Sequence, residues 1–208
     1  MLPRLLALAV LFAVFGCSEP AETTQVQGVL NASALQQETV MPAGTDLELP
    51  PRDYSEPRPS PNAETRLTIG TTNVIITYGR PGVKGRTVFG ELEPWGEVWR
   101  AGANEATVFA VDGDVTINGQ PLEAGVYALF MTPNESGAWT VHFNSVANQW
   151  GAFRRDAAED VLVVNAEPMT APSMEWLSYT LTPTSMTAAE ASLHWSTTKV
   201  PFTVAVAS

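Results

Sequence analysis

From about Glu64 onward, apolar and polar residues alternate over short runs that are separated by turn-forming residues. An alternation with a period of two is typical of antiparallel strands that bury one face. The last run has an apolar residue at every second position from Val200 to Val206. Pro201 lies in that run and has no backbone N–H to donate, so we expect an edge strand or a strand start there.

The runs predict about nine strands and no long helix, so the expected fold is all-β. We expect an antiparallel β-sandwich, with the jelly roll as one of its forms. The first hairpin is predicted to join Thr65–Ile69 to Asn73–Tyr78. Later in the chain, Asn118 and Gly119 accept the positive φ angles that a tight hairpin turn requires. Two longer loops are predicted, from Gly79 to about Glu105 and from Asn144 to Asp160.

The first residues follow the pattern of a bacterial export signal. Arg4 precedes an apolar run from Leu5 to Phe15, which as a helix reaches only about 17 Å and is too short for a hydrocarbon core of about 30 Å. Val14 to Cys17 then resembles a lipobox, whose cysteine is acylated after cleavage. We expect residues 1–16 to be removed and Cys17 to carry the lipid. Cleavage by an ordinary signal peptidase near this point is the alternative.

Residues 17–63 are predicted to form the lipid anchor and a disordered, acidic linker, ahead of a β-sandwich domain over residues 64–208. The linker has few aromatic residues and five prolines from Pro50 to Pro61, which disfavour sheet pairing. Anchored to a membrane of the bacterial cell envelope, it would hold the domain on the periplasmic or extracellular side. Ser18 replaces the aspartate that retains some lipoproteins at the inner membrane, which slightly favours the outer membrane.

Charge and cysteine content exclude several classes of function. The net charge of −11 argues against nucleic acid as a partner. Cys17 is the only cysteine, which excludes a disulfide framework, a thiol nucleophile and a thiolate metal site. Neither His142 nor His194 has a metal-binding spacing around it. We therefore expect no metal and no cofactor.

The long stretch from Gly79 to Glu105 is the first candidate binding site. Four of the eleven basic residues of this acidic chain fall in it, namely Arg80, Lys84, Arg86 and Arg100. Guanidinium groups on a glycine-rich loop can grip an anion, and Trp95 and Trp99 can stack against a sugar ring. Asn104 and Glu105 complete the candidate set. Alternatively, the arginines pair with nearby glutamates and the tryptophans fill the core, which would make the loop purely structural.

A second candidate patch follows the strand predicted at Trp139 to Phe143. Alternation places His142 on the face opposite to that of the apolar residues of this strand. An imidazole beside Asn144, Asn148, Gln149 and Trp150 would suit a polar ligand or a general base. The alternative is an ordinary histidine with a structural hydrogen bond.

No nucleophile elbow and no phosphate-binding Gly-x-x-x-x-Gly-Lys sequence is present, and no catalytic residue is assigned. The enzymatic alternative is a periplasmic hydrolase that acts on a glycan or an ester, with Glu105 and His142 in acid–base roles. A purely structural or assembly lipoprotein is the third alternative.

Several segments resemble signature sequences of the bacterial domain-of-unknown-function 2911 family. They are Ile69–Val74, Arg80–Arg86, Val98–Thr107, Gly125–Phe130, Asn148–Phe153 and the closing Lys199–Phe202. The resemblance implies a secreted or lipid-anchored envelope protein and brings no reaction, substrate or catalytic residue. We therefore expect a membrane-tethered, non-enzymatic binding module. Its ligand would be an anionic small molecule, a glycan or another envelope protein, bound through the loop from Arg80 to Glu105.

Overall fold

A computed structural model describes residues 47–207 of the chain, and the predicted signal peptide and Cys17 lie outside these residues. Ten strands form two antiparallel sheets, so the predicted all-β sandwich is confirmed. Their bounds are β1 Asn62–Ile69, β2 Thr72–Gly79, β3 Thr107–Val111, β4 Val115–Ile117, β5 Gln120–Leu122, β6 Gly125–Thr132, β7 Trp139–Asn144, β8 Asp160–Ala166, β9 Met169–Pro183 and β10 Ala188–Val206. A single 3-10 turn, Ala157–Glu159, precedes β8. No helix in this part of the chain is long and apolar enough to cross a membrane.

The larger sheet has the strand order β1-β2-β3-β6-β7-β8, and the smaller sheet has the order β5-β4-β10-β9. The larger sheet therefore consists of two three-strand meanders, β1-β2-β3 and β6-β7-β8. The strands that lie between these meanders in sequence, β4 and β5, belong to the smaller sheet. The register brings the two predicted long loops close together, because Thr107 at the start of β3 pairs with Leu129 of β6, which in turn pairs with Phe143 near the end of β7. Strands β3 and β7 are separated only by β6.

The core lies between the facing sides of the two sheets. Alternate residues of each strand point into it, as the period-two pattern predicts. Phe109 of β3 meets Phe143 of β7 edge-on with ring centroids 5.2 Å apart, and Phe202 of β10 lies 6.1 Å from Phe143. Each large apolar side chain buried in this way contributes on the order of 2 kcal/mol to folding.

The turn at Asn118 and Gly119 has the predicted positive φ angles, 47° and 80°. It joins β4 to β5, a strand that the sequence pattern does not reveal. The strand has only three residues, Gln120–Leu122, and its central Pro121 weakens the strand signal.

The prediction for Pro201 is wrong, because this residue lies inside β10, which is flanked by β4 and β9. The first part of β10 pairs with β9 as far as Lys199, and its last part pairs with β4 from Val204 onward. Pro201 lies between the two pairings. The sequence pattern predicts separate strands at Ala188 to Trp195 and Val200 to Val206, but the two form one long strand, with a bulge at Ser196, where φ is 54°.

Residues 47–61 form no strand or helix and pack on the outer face of the larger sheet. Leu47 and Leu49 pack against a small apolar cluster there that includes Ile75 and Val108. The Arg52 side chain is only 3% exposed, and its guanidinium donates to both the hydroxyl and the backbone carbonyl of Thr77. The last part of the predicted linker is thus attached to the domain by apolar contacts and a buried cation.

Candidate functional site

The loop from β2 to β3 is as long as predicted, and its first three basic side chains contact other groups of the protein. Arg80 donates to the carbonyl oxygen of Leu177 and to the hydroxyl of Ser178, both at 3.0 Å. The ammonium group of Lys84 lies 5.9 Å from the ring of Trp176, also on β9. Arg86 turns back onto its own loop and donates to two backbone carbonyl oxygens. These three residues fix the loop conformation and attach it to β9.

The two tryptophans of this loop differ in their surroundings. Trp99 is 4% exposed, stacks on Trp195 with centroids 5.7 Å apart, and donates its indole N–H to Gly102. It is therefore part of the core. Trp95 is 37% exposed, and its ring stacks on Phe89 at 6.2 Å.

The last part of the loop is held in a backbone conformation that most residues avoid. Ala101 and Asn104 have φ values of 50° and 66°. The carbonyl oxygen of Ala101 accepts hydrogen bonds from Thr107 at 3.0 Å and from Tyr179 at 2.9 Å. Burial raises the pKa of Tyr179 well above its ordinary value, so the hydroxyl stays a donor. Surrounding contacts that hold a strained segment in this way often mark a functional surface.

This segment meets the second long loop, which follows β7. Arg100 donates to the carbonyl oxygen of Asn104 at 2.8 Å, and its guanidinium lies 5.9 Å from the ring of Phe153. Glu105 and Trp150 form an isolated β-bridge. The fold therefore brings four sequence-predicted residues together, Arg100, Asn104, Glu105 and Trp150, and separates them from the cations that contact β9.

The carboxylate of Glu105 forms ion pairs with two arginines of the N-terminal segment. Arg58 reaches both of its carboxylate oxygens, at 2.8 and 3.1 Å, and Arg52 lies 3.6 Å away. Burial alone would raise the pKa of Glu105, but the hydrogen bond from Arg58 and the charges of both arginines lower it overall. The carboxylate therefore stays ionised and ties residues 52–58 to the domain, which makes it unsuited to a general-acid role.

The second loop forms an open pocket of about 710 Å³ beside this junction. It is lined by Val146, Asn148, Gln149, Trp150, Phe153 and Arg154. Trp150 is 57% exposed and Phe153 is 83% exposed, so two large rings face solvent in one concave surface. The Oε1 atom of Gln149 is buried and accepts no hydrogen bond from the described residues. The guanidinium of Arg154 likewise has no partner between residues 47 and 207.

Asn144 shapes the pocket and is not exposed in it. Its side chain is fully buried, and Nδ2 donates at 2.8 Å both to the carbonyl oxygen of Asp156 and to Oδ1 of Asp160. Its Oδ1 accepts from the backbone of Val146 and from the side chain of Gln149. Asn144 therefore joins both ends of the loop and positions the residues that line the pocket.

His142 lies under the same loop in a polar cluster. Its Nε2 is 3.0 Å from the hydroxyl of Thr132, and its Nδ1 is 3.1 Å from Asp160 and 3.2 Å from Arg155. Burial and the charge of Arg155 lower the pKa of His142, against the opposing effect of Asp160. The ring is therefore neutral at neutral pH and acts as a support beneath the loop, as in the alternative stated from the sequence.

Four residues of this site are absent from the sequence-based set, namely Phe153, Arg154, Arg155 and Asp160. The adjacent arginines were a usable signal, because two neighbouring cations are unusual in a chain of net charge −11. The pairing of Asp160 with His142 depends on the fold, since β7 and β8 are brought together only in the sheet.

The hydrolase alternative needs a carboxylate and an imidazole that act together. Glu105 and His142 make no contact with each other within residues 47–207, and each has its own set of partners. No group of three or more histidine, cysteine, aspartate or glutamate residues in this range could hold a metal ion. The arrangement is suited to binding through rings, amides and guanidinium groups.

Comparison with protein families gives one match. The model of a family described as a protein of unknown function, DUF2911, matches residues 60–204. The match begins two residues before β1 and ends within β10, so it spans both sheets and both long loops. No curated protein and no solved structure matches the chain.

Proposed function

The chain belongs to the DUF2911 family, whose members have no known function. From the geometry of the site, we propose that it is a non-enzymatic envelope protein that binds a carboxylate-bearing glycan. The binding surface is the pocket around Trp150. The observation that carries the proposal is the exposure of Trp150 and Phe153 in one concave surface, beside polar groups that lack partners.

The rings supply the contact area. An apolar face of a sugar packs against an aromatic ring, and stacking of this kind tolerates different sugars. Leaving two large rings in water costs free energy that a ligand recovers by covering them. The volume of about 710 Å³ lies within the range of pockets that take ligands of several hundred daltons.

The polar groups supply selectivity for an acidic sugar. The buried Oε1 of Gln149 is an unused acceptor, which a sugar hydroxyl can satisfy. Arg154 offers a guanidinium with no partner among the described residues, which fits a carboxylate in bidentate geometry. Arg100 adds positive charge behind Phe153. A small anion alone would use the cations and leave both rings exposed, so an acidic glycan makes better use of the whole surface.

The proposed location is the bacterial cell envelope. The signal pattern and the lipobox at Val14 to Cys17 support export and lipid attachment at Cys17, with the outer membrane as the favoured membrane. Three acyl chains, the usual product of that pathway, anchor far more firmly than a single one. A module held in this way would keep an acidic polysaccharide close to the membrane surface.

The test is isothermal titration calorimetry on the full chain with three probes: an oligogalacturonate, the neutral galactose oligomer of equal length, and inorganic phosphate. We expect the acidic oligomer to bind most tightly and phosphate to bind weakly or not at all. Trp150→Ala should weaken oligogalacturonate binding by a few-fold to about tenfold, since aromatic stacking is worth about 0.5–1.5 kcal/mol beyond the area it buries. Arg154→Ala should reduce the preference for the acidic over the neutral oligomer.

Trp176→Ala is the matched control, because Trp176 is a partly exposed tryptophan on β9 and does not line the pocket. It should bind oligogalacturonate as the wild type does. Equal binding by wild type and Trp150→Ala, or phosphate binding as tight as that of the oligomer, would refute the glycan proposal. New reducing ends in the incubated oligomer would refute its non-enzymatic part.

A further inference from the structure

A second pocket lies where Trp95 meets the turn between β6 and β7 and the place where the start of β9 pairs with the middle of β10. It has a volume of about 210 Å³ and shares no lining residue with the pocket at Trp150. Its walls consist of aromatic rings, one carboxylate, hydroxyl groups and a few other side chains. They are Trp95, Asn134, Glu135, Trp139, Pro168, Met169, Thr170, Thr197 and Thr198.

We infer that this pocket binds a primary alkylammonium group, held between the ring of Trp95 and the carboxylate of Glu135. The chemistry of the walls points to a cation. Glu135 is the only charged residue that lines the pocket, and its carboxylate has no hydrogen bond or ion pair with any residue from 47 to 207. An aromatic face within about 6 Å of a cation adds to the attraction.

The position of Trp95 is fixed before any ligand arrives. Its ring stacks on Phe89 and meets Trp139 edge-on at 6.4 Å. Gly90 has a φ of 94°, and a Cβ atom there would lie 2.6 Å from the indole nitrogen, so only glycine lets the ring lie this close to the backbone. A ring that is already in place loses little conformational entropy when it contacts a ligand.

The turn that carries Glu135 is also held in place. The backbone N–H of Gly96 donates to Pro133 at 2.8 Å, which ties the Trp95 loop to this turn. The indole N–H of Trp139 donates to the carbonyl oxygen of Asn134 at 3.0 Å. The turn that carries Glu135 is therefore held beside the loop that carries Trp95.

Three threonines make the pocket more suitable for an ammonium group that has N–H donors. The side chains of Thr170, Thr197 and Thr198 make no hydrogen bond within the described part of the chain. Each hydroxyl oxygen can accept from an ammonium N–H, and such bonds to a charged donor are stronger than neutral ones. The small volume suits one ammonium headgroup or the end of a polyamine, and it excludes a large folded ligand.

The experiment follows the six tryptophan indole N–H signals of the full chain by NMR during titration with putrescine, with an equal titration of sodium chloride as the salt control. We expect the signals of Trp95 and Trp139 to move with a saturable curve. Tetramethylammonium, which has no N–H donor, should bind several-fold more weakly. Tighter or equal binding of tetramethylammonium would overturn the assignment to a primary ammonium group.

Variants separate a local site from general attraction to an acidic protein. Glu135→Gln should weaken putrescine binding roughly tenfold, and Trp95→Phe should weaken it a few-fold. The matched control is Glu97→Gln, which removes an exposed carboxylate from the same loop as Trp95. Equal losses in Glu135→Gln and Glu97→Gln, or no saturable shift in the wild type, would overturn the inference. Because the two pockets share no residue, this result does not depend on glycan binding.

Discussion

The Nδ1 atom of His142 lies 3.1 Å from the carboxylate of Asp160, and the guanidinium of Arg155 contacts both groups. All three side chains are at most 13% exposed. A protonated imidazole at this position repels the guanidinium of Arg155, which a neutral imidazole does not. The loop that forms the pocket at Trp150 therefore rests on a group whose charge changes below neutral pH.

This relationship predicts an acid-sensitive fold. Burial and Arg155 lower the pKa of His142, so the unfolded chain takes up this proton first as the pH falls below about 6.5. The contribution of His142 to the free energy of unfolding is thus complete above that pH and is lost below it. Over the range from about pH 7.5 to 5, the free energy of unfolding from urea denaturation should fall further in the wild type than in His142→Gln.

His194→Gln is the control for this experiment. His194 has a single hydrogen bond, to the carbonyl oxygen of Pro172. The variant should keep the pH dependence of the wild type. An identical pH dependence in His142→Gln and the wild type would show that His142 does not control acid sensitivity.

Glu93 is predicted to act in the opposite direction. Burial raises its pKa to about 7, against the charges of Arg100 and Arg86. Because the folded pKa exceeds the unfolded one, the stabilisation is complete below about pH 4.5 and is lost as the pH rises through 7. At about pH 8, Glu93→Gln should therefore raise the free energy of unfolding by up to about 2 kcal/mol, with little gain at about pH 5.

The exposed neighbour Glu91 provides the matched substitution. Glu91→Gln should leave the free energy of unfolding unchanged to within about 0.5 kcal/mol at either pH. The measurement is the free energy of unfolding of both variants and the wild type, from urea denaturation at about pH 5 and pH 8. The assignment of a raised pKa to Glu93 fails if Glu93→Gln gains no stability on going to the higher pH.

The third prediction concerns the link between Glu105 and the N-terminal segment. Glu105→Ala leaves the guanidinium of Arg52, 3% exposed, without its carboxylate partner. Removing one member of such a pair costs about 3 kcal/mol, so the free energy of unfolding should fall by about that amount. Residues 47–61 should also become more accessible to a protease, because Arg58 keeps only the longer contact with Asp53, which lies in the same segment.

Glu64→Ala serves as the comparison, since Glu64 pairs with Arg66 at the surface. Exposed pairs contribute at most about 1 kcal/mol, so this variant should be only slightly destabilised. Urea denaturation measures both effects, and mass spectrometry locates the new cleavage sites. A loss in Glu105→Ala no larger than that in Glu64→Ala would mean that the carboxylate does not compensate Arg52.

The strand pattern could be predicted because period-two alternation is a local property. The hairpin of β1 and β2, the positive φ angles at Asn118 and Gly119, and both long loops follow from short stretches of sequence. The exception at Pro201 is instructive. Proline cannot donate a backbone hydrogen bond to a neighbouring strand. Pro201 is nevertheless accommodated inside β10, because it lies between the part that pairs with β9 and the part that pairs with β4. Where β10 changes partners is a property of the whole sheet.

The residues of the candidate site could be predicted only in part. Arg80 and Lys84 look equivalent to Arg100 along the chain, yet they contact β9 while Arg100 lies beside Phe153. The sequence identifies Asn144 as a candidate binding residue, but it does not show that the side chain is buried under the loop. Which cation is held against β9 and which lies beside the pocket depends on partners that are distant in sequence, such as Leu177, which follows Arg80 by 97 residues.

The sequence by itself determined the all-β class, the positions of the long loops and the membership of the family, because these depend on periodicity, turn chemistry and short motifs. Only the tertiary structure decided that Trp99 fills the core, that Glu105 holds the N-terminal segment, and that Trp150 and Phe153 line a pocket. The physical reason is that burial and charge pairing arise between strands that are far apart in the chain. Local sequence does not encode these neighbours individually.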